Sequence, residues 1–233
     1  MSSDTDLIRL HQEYANRKQR LKGKEIYSFF YPPYLFALQQ RTRSMLFALK
    51  QSGLVSLNNL RVLEMGCGGG GILLELLTLS GLPRYLFGID LLQNQLIKAQ
   101  QKLPNSGFTC ADGQRLPFSS DSFDLVLQYT AFSSVMDNAI RREMASDMLR
   151  VLQPKGFILW YDFWINPTNP QTRGIWLKEI KTLFPNCNYK FYRITLAPPI
   201  ARRVVPISWA IAQFLEWLKI FNSHYLVIIQ KNN

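Results

Sequence analysis

Two kinds of apolar patterning alternate along most of this chain. Val62-Leu63, Tyr85-Leu86-Phe87-Gly88-Ile89, Phe123-Asp124-Leu125-Val126-Leu127 and Phe157-Ile158-Leu159-Trp160-Tyr161 are short, nearly continuous apolar runs rich in β-branched and aromatic residues. Such runs, bounded by turn residues, predict strands buried on both faces. A shorter strand is expected at 108–113, a sixth at 189–196 and a last at 224–229, while helical spacing begins at Ile72 and recurs at 175–184 and about 200–221. Residues 5–52 carry helix-like spacing broken at Pro32-Pro33, and Gly53 to Asn59 reads as the connection into the first strand. Strands alternating with helices predict an α/β fold around a mostly parallel sheet.

The first strand ends Glu64-Met65-Gly66-Cys67-Gly68-Gly69-Gly70, so a buried apolar run passes through a carboxylate into a glycine turn and then a helix. Glycines there permit positive φ and let the backbone approach a ligand, toward which the helix N-terminus turns its free N–H groups. Gly66, Gly68 and Gly71 also satisfy the dinucleotide pattern G-x-G-x-x-G, which makes a nicotinamide-dependent oxidoreductase the rival reading. A carboxylate two residues before the first glycine argues against it, because a pyrophosphate needs no acid there and a ligand with an ammonium group does. More acids follow at strand ends. Asp90 lies 22 residues after Gly68, where nucleoside-binding folds place a ribose-hydroxyl acceptor, and Asp112 ends the third strand.

Glu64, Gly66, Gly68 and Gly70 resemble the acidic-x-Gly-x-Gly-x-Gly motif of class I S-adenosylmethionine-dependent methyltransferases. The resemblance covers about 57–230 and implies a Rossmann-like seven-stranded sheet, mostly parallel with the last strand antiparallel beside the fifth, and helices on both faces. It divides the chain into an N-terminal helical cap or lid at 1–56 and a methyltransferase domain at 57–233 with a helical insertion at about 200–221. It implies S-adenosyl-L-methionine as cofactor, with S-adenosyl-L-homocysteine as product, held by Glu64, Gly66, Cys67, Gly68, Asp90, Leu91, Asp112, Gly113, Gln128 and Tyr129. Asp112 corresponds to the family residue facing the adenine amino group. Trp160-Tyr161-Asp162-Phe163 and His224-Tyr225 are similar to strand ends in a bacterial set within the type 11 small-molecule group.

Strand direction then brings His224, Asp162 and the segment 198–203 to the same ligand-binding edge. His224 and Asp162 are the candidate catalytic residues for deprotonating or orienting an acceptor hydroxyl. Tyr161 is a candidate pocket aromatic, and Arg202 and Arg203 are candidates for an acceptor phosphate or carboxylate. The fourth strand runs into Gln128-Tyr129-Thr130-Ala131-Phe132 and lacks the Asn/Asp-Pro-Pro-aromatic motif of amino-methylating enzymes. The expected acceptor is a small or glycan-like molecule methylated at oxygen. Tyr31-Pro32-Pro33-Tyr34 imitates the missing motif but reads as a helix break.

A net charge of +11, with Arg17, Lys18, Arg20, Lys22 and Lys24 close together, suits an anionic membrane surface, nucleic acid or an acidic substrate. An RNA methyltransferase is thus a further alternative, disfavoured because no RNA-binding module is legible. The apolar residues of the 200–221 segment exceed what one core-facing side needs. They read as a lid over the acceptor pocket, a subunit contact or a peripheral membrane contact, and oligomeric state stays open. Cys67, Cys110 and Cys187 are odd in number and far apart, so no disulfide framework or metal site is implied and a reducing cytoplasm is expected. The N-terminus lacks a signal-peptide pattern, and Gln213, Glu216 and Lys219 interrupt the longest apolar candidate for a membrane span. His11, the other histidine, is expected on a solvent-facing helix.

Overall fold

The apolar runs do become strands, and their burial on both faces makes a sheet the middle layer of the molecule. In the computed structural model, which describes residues 8–9, 12–16, 19–20, 23, 25–167 and 169–232, that sheet has the order β3-β2-β1-β4-β5-β7-β6. Its strands are β1 (Val62–Met65), β2 (Leu86–Asp90), β3 (Gly107–Cys110), β4 (Phe123–Tyr129), β5 (Leu152–Phe163), β6 (Cys187–Leu196) and β7 (Asn222–Lys231). β3, β2, β1, β4 and β5 pair in parallel, while β7 runs antiparallel to both its neighbours. The carboxyl ends of the parallel strands and the start of β7 therefore share one edge.

Alternation along the strands sends side chains to two helical layers. Leu63, Met65, Ile89, Trp160 and Val227 face α4 (Asn138–Val151) and α5 (Leu177–Leu183), whose Met144, Met148 and Ile180 join the same core. Val62, Leu125, Leu127, Leu159 and Leu226 face the other layer. There they pack with Met45, Ala48 and Leu49 of α1 (Pro32–Gln51) and Leu73 and Leu76 of α2 (Gly71–Thr78). Leu96 and Ala99 bury one side of α3 (Gln93–Lys102), between β2 and β3.

Two sequence expectations change form. The helical spacing is interrupted just before Pro32-Pro33, and the two prolines then form the first turn of α1, since proline costs nothing where the first N–H groups have no helical partner. The segment expected as one helix at 200–221 is two, α6 (Pro198–Val204) and α7 (Trp209–Trp217). Pro206 lies in the break, and Ser208 caps the second helix by accepting from the Ile211 N–H at 3.3 Å. His11, Arg17, Lys18, Lys22 and Lys24 lie outside the described residues, and Arg20 is exposed and paired with Glu13.

Candidate active site

The β1–α2 turn is built by left-handed backbone at Gly66 (φ 71°), Gly68 (φ 50°) and Gly70 (φ 74°). A Cβ on Gly66 would approach Ala131 Cβ to 2.9 Å, so the turn also needs the missing side chain for packing against the β4 end. Asp90 ties this turn to β2. Its Oδ2 accepts from the Gly68 N–H and its Oδ1 from the Leu92 N–H, each at 2.8 Å.

A cavity of about 180 Å³ opens beside these residues, walled by Met65, Gly66, Ile89, Asp90, Leu91, Leu92, Ala111, Gly113, Tyr129, Thr130, Ala131, Ser134, Val135 and Met144, with Tyr14 at its N-terminal side. It thus spans the ends of β1, β2 and β4 and the loop after β3, the edge at which open α/β sheets hold ligands. Thr130, at the end of β4, has φ 57° despite its branched side chain, a conformation that costs energy and marks this turn as constrained. Its N–H donates to the Tyr161 carbonyl at 2.8 Å, and its own carbonyl accepts from the hydroxyls of Ser133 and Ser134.

Of the residues singled out in the sequence, Gly66, Asp90, Leu91, Gly113 and Tyr129 meet on this wall, and Gly68 is joined to it through Asp90. Cys67 is buried behind the turn, against Gly88. Asp112 stands between two wall residues, but its carboxylate accepts from the Gln114 backbone N–H (2.9 Å) and side-chain Nε2 (2.7 Å). Gln128 is fully buried, its Oε1 accepting from the Ala131 N–H at 3.1 Å, and so holds the loop rather than facing the cavity.

Glu64 lies behind the turn on the α1 side of the sheet, almost fully buried, with its Oε2 lacking any hydrogen-bond partner. Burial raises its carboxyl well above the ordinary value, opposed by the positive charge of Arg41 and by the Leu73 N–H and reinforced by Asp90 and Glu75. Arg41 is itself engaged by Glu75 at 2.6 Å, and its guanidinium carbon sits 5.5 Å from the centre of the Tyr129 ring. A positively charged group reaching Glu64 would complete this network. Glu64 is not itself on the cavity wall, but the residues fit S-adenosylmethionine: Glu64 would meet the charge of the ammonium end, the positive end of the β1–α2 turn would meet the carboxylate, and Asp90 would meet the ribose hydroxyls.

The two candidate catalytic residues do not come together. Asp162 and Phe163 are consecutive on β5 and point to opposite faces, and His224 is the register partner of Phe163. His224 therefore shares the α1 face with Tyr161, on which it stacks at 4.6 Å and 6°, and Tyr161 in turn lies 5.2 Å from Tyr129. Burial and the nearby Arg41 push His224 down to about 3, so the ring is neutral, with Nδ1 3.0 Å from the Ser223 hydroxyl. Asp162 accepts from the Ser133 N–H (3.0 Å) and the Phe163 N–H (2.8 Å) on the other face. Burial pushes it up to about 6 while the Ser133, Phe163 and Gln128 contacts hold it down. Neither residue, nor Tyr161, is on the cavity wall. Tyr161 instead shares a 2.9 Å hydrogen bond with Thr195. Arg202 and Arg203 are exposed on α6, four strand positions from β1 at the β6 edge of the sheet.

Tyr14, Thr130, Ala131, Ser134, Val135 and Met144 line the cavity without having been singled out. Thr130 and Ala131 follow the fourth strand directly and could have been found from its position. Tyr14 has no such signal, because it reaches the site by a fold-back in which Arg9 donates to the Ser134 carbonyl at 2.5 Å.

A methyltransferase-domain family model matches residues 62–156. Over 117 residues the chain is 37% identical to a phthiotriol/phenolphthiotriol dimycocerosates methyltransferase of Mycobacterium tuberculosis, covering 49% of this chain and 41% of that one. It is 28% identical over 123 residues to a demethylmenaquinone methyltransferase of Desulfitobacterium hafniense, covering 50% and 47%. The chain thus spans less than half the length of these curated relatives. Its fold resembles that of geranyl diphosphate C-methyltransferase from Streptomyces coelicolor, with a TM-score of 0.61 at 14% identity over 82% of this chain and 77% of that one. The nicotinamide-oxidoreductase and RNA-methyltransferase alternatives gain no support from these relatives. Residues 62–156, which hold the glycine turn and the acidic strand ends, thus match a methyltransferase domain, and the seven-stranded sheet built around them resembles that of class I S-adenosylmethionine-dependent methyltransferases.

Proposed function

We propose that the protein transfers the methyl group of S-adenosylmethionine to a hydroxyl oxygen of a small, largely apolar acceptor. The observation carrying the cofactor part is the buried, partnerless Oε2 of Glu64 behind a glycine turn that Asp90 ties to β2. The bound sulfonium supplies an electrophilic methyl, and alignment of the acceptor with it accounts for much of the rate. The protein's part is therefore chiefly positioning. Tyr129 forms part of the cavity wall, Tyr161 backs it at a tilt with the neutral His224 stacked behind, and Asp162 fixes the 130–134 loop through the Ser133 N–H. His224 and Asp162 enter as positioning residues, with the acceptor proton leaving to solvent.

Two relatives are named for acting on dimycocerosates and on demethylmenaquinone, which supports a lipid-like acceptor over a glycan-like one. Oxygen is the proposed atom because Gln128-Tyr129-Thr130 stands where amino-methylating enzymes carry their proline motif. The test is mass spectrometry after incubating the protein with methyl-deuterated S-adenosylmethionine and separate lipid and polar cell extracts. A labelled O-methyl product in the lipid fraction is expected. A product in the polar fraction alone would restore the glycan-like acceptor, and an N- or C-methyl product would overturn the oxygen assignment.

A further inference from the structure

The α6–α7 segment meets its packing needs with one side only. Ala201, Val205 and Ala212 form a small buried core with Phe36 of α1 and Leu196 of β6, closed by a Phe36–Trp209 ring contact at 5.3 Å. The opposite side should then be polar, yet it is not. Ile207 (82% exposed), Ile211 (52%), Phe214 (56%) and Trp217 (69%) recur at helical spacing and face solvent, continued by Ile220 (64%). Phe214 and Trp217 stack on each other at 6.2 Å. Glu216 instead turns inward, its side chain 14% exposed and paired with Lys219. The segment is thus apolar on its outer side as well as on its core-facing one, and no part of the described chain covers the outer side.

We infer that this ridge is a peripheral attachment site for an anionic lipid bilayer. Charge chooses the occupant: Arg202 and Arg203 are exposed on the adjoining helix, and the whole chain carries +11. Apolar and aromatic side chains beside guanidinium groups suit the acyl and headgroup levels of a bilayer with acidic lipids. A second copy of the chain would bring the same positive charge to the same face, which disfavours self-pairing. Phe29 (64%) and Phe30 (96%), just before α1, are a further pair of exposed aromatic side chains. Among the described residues no helix is long and apolar enough to cross a membrane, so attachment would be in the interfacial plane. The inference rests on this surface and stands independently of the acceptor reading.

The test is vesicle flotation of the full chain, with equimolar phosphatidylglycerol and phosphatidylcholine compared with phosphatidylcholine alone. Wild-type protein is expected to float with the acidic vesicles and to be released by salt. The double variant Phe214→Ser/Trp217→Ser should bind about tenfold more weakly or worse, with S-adenosylhomocysteine affinity unchanged. Arg202→Gln/Arg203→Gln should lose the preference for acidic vesicles. Wild-type protein that stays unbound, or an apolar double variant that floats as well, overturns the inference. So does self-association in sedimentation that Phe214→Ser/Trp217→Ser abolishes, which would assign the ridge to a second copy. Loss of S-adenosylhomocysteine affinity together with flotation would assign the ridge to the fold and also overturn the inference.

Discussion

Glu64→Gln separates a binding role from a structural one, because the two roles require changes of opposite sign. In the free protein a buried carboxyl with a partnerless oxygen is a burden on the fold, and its raised pKa expresses that burden. A carboxyl whose folded pKa lies above its unfolded value of about 4.3 destabilises the native state increasingly as pH rises from there through the folded pKa. The isosteric amide removes this effect at neutral pH. Leaving such a group unsatisfied costs about 1–3 kcal/mol. The variant should therefore melt higher by a few degrees at pH 7.5, at roughly 2–4 °C per kcal/mol for a chain of this size, and the gain should vanish near pH 4.

The ligated state reverses the sign, since an ammonium on Glu64 is a charge-assisted contact that an amide replaces poorly. Its loss, about 1.5–3 kcal/mol, corresponds to S-adenosylhomocysteine affinity weaker by about 10- to 150-fold. In the wild type, ligand binding should also release a proton, so affinity should rise with pH up to the raised pKa of the free carboxyl. Calorimetric titration and thermal scans on the same samples measure both quantities. A variant that loses melting temperature and affinity together would make Glu64 structural, and unchanged affinity would remove it from the site.

Asp90→Ala should weaken S-adenosylhomocysteine by about tenfold or more and lower stability, since it releases the Gly68 and Leu92 N–H groups as well as the ribose; calorimetry showing full affinity would contradict this. Gly66→Ala places a side chain on a backbone at φ 71° and 2.9 Å from Ala131 Cβ, so ligand binding should fall more than stability, which thermal scans beside a titration would show. His224 is neutral in the fold with its pKa near 3, against about 6.5 unfolded, so its contribution is complete above 6.5 and lost as pH falls toward 3. Asp162, near 6 when folded, works in the opposite direction between about 6 and 4. Comparing His224→Phe with wild type cancels that term. The variant should lose less stability to urea between pH 7.5 and 4.5, and parallel curves would show that His224 does not set the slope.

The sheet was legible because its strands are buried on both faces and their apolar runs, such as Phe123 to Leu127, admit few other readings. The glycine turn, Asp90 and Tyr129 were legible because their positions follow from strand ends within one local unit. The relation between Asp162 and His224 was not. Both lie at the predicted edge, but which face each uses depends on the β5–β7 register, and a one-residue shift would have put them on the same side. The polar group of Arg41, Glu75 and Tyr129 was hidden for a similar reason, since α1 meets the sheet only through tertiary packing. Tyr161 likewise reads as a pocket residue from its strand position, whereas the structure turns its hydroxyl to Thr195. The break at Pro206, by contrast, was visible in the sequence and outweighed by the apolar spacing around it.

The central claim is that the cavity at the ends of β1, β2 and β4 holds S-adenosylmethionine, and side-by-side calorimetric titration with S-adenosylhomocysteine and reduced nicotinamide dinucleotide tests it most directly. One equivalent of S-adenosylhomocysteine should bind with an affinity that Glu64→Gln and Asp90→Ala each reduce, while the dinucleotide gives no heat beyond dilution. Binding of the dinucleotide with no response to S-adenosylhomocysteine would contradict the account.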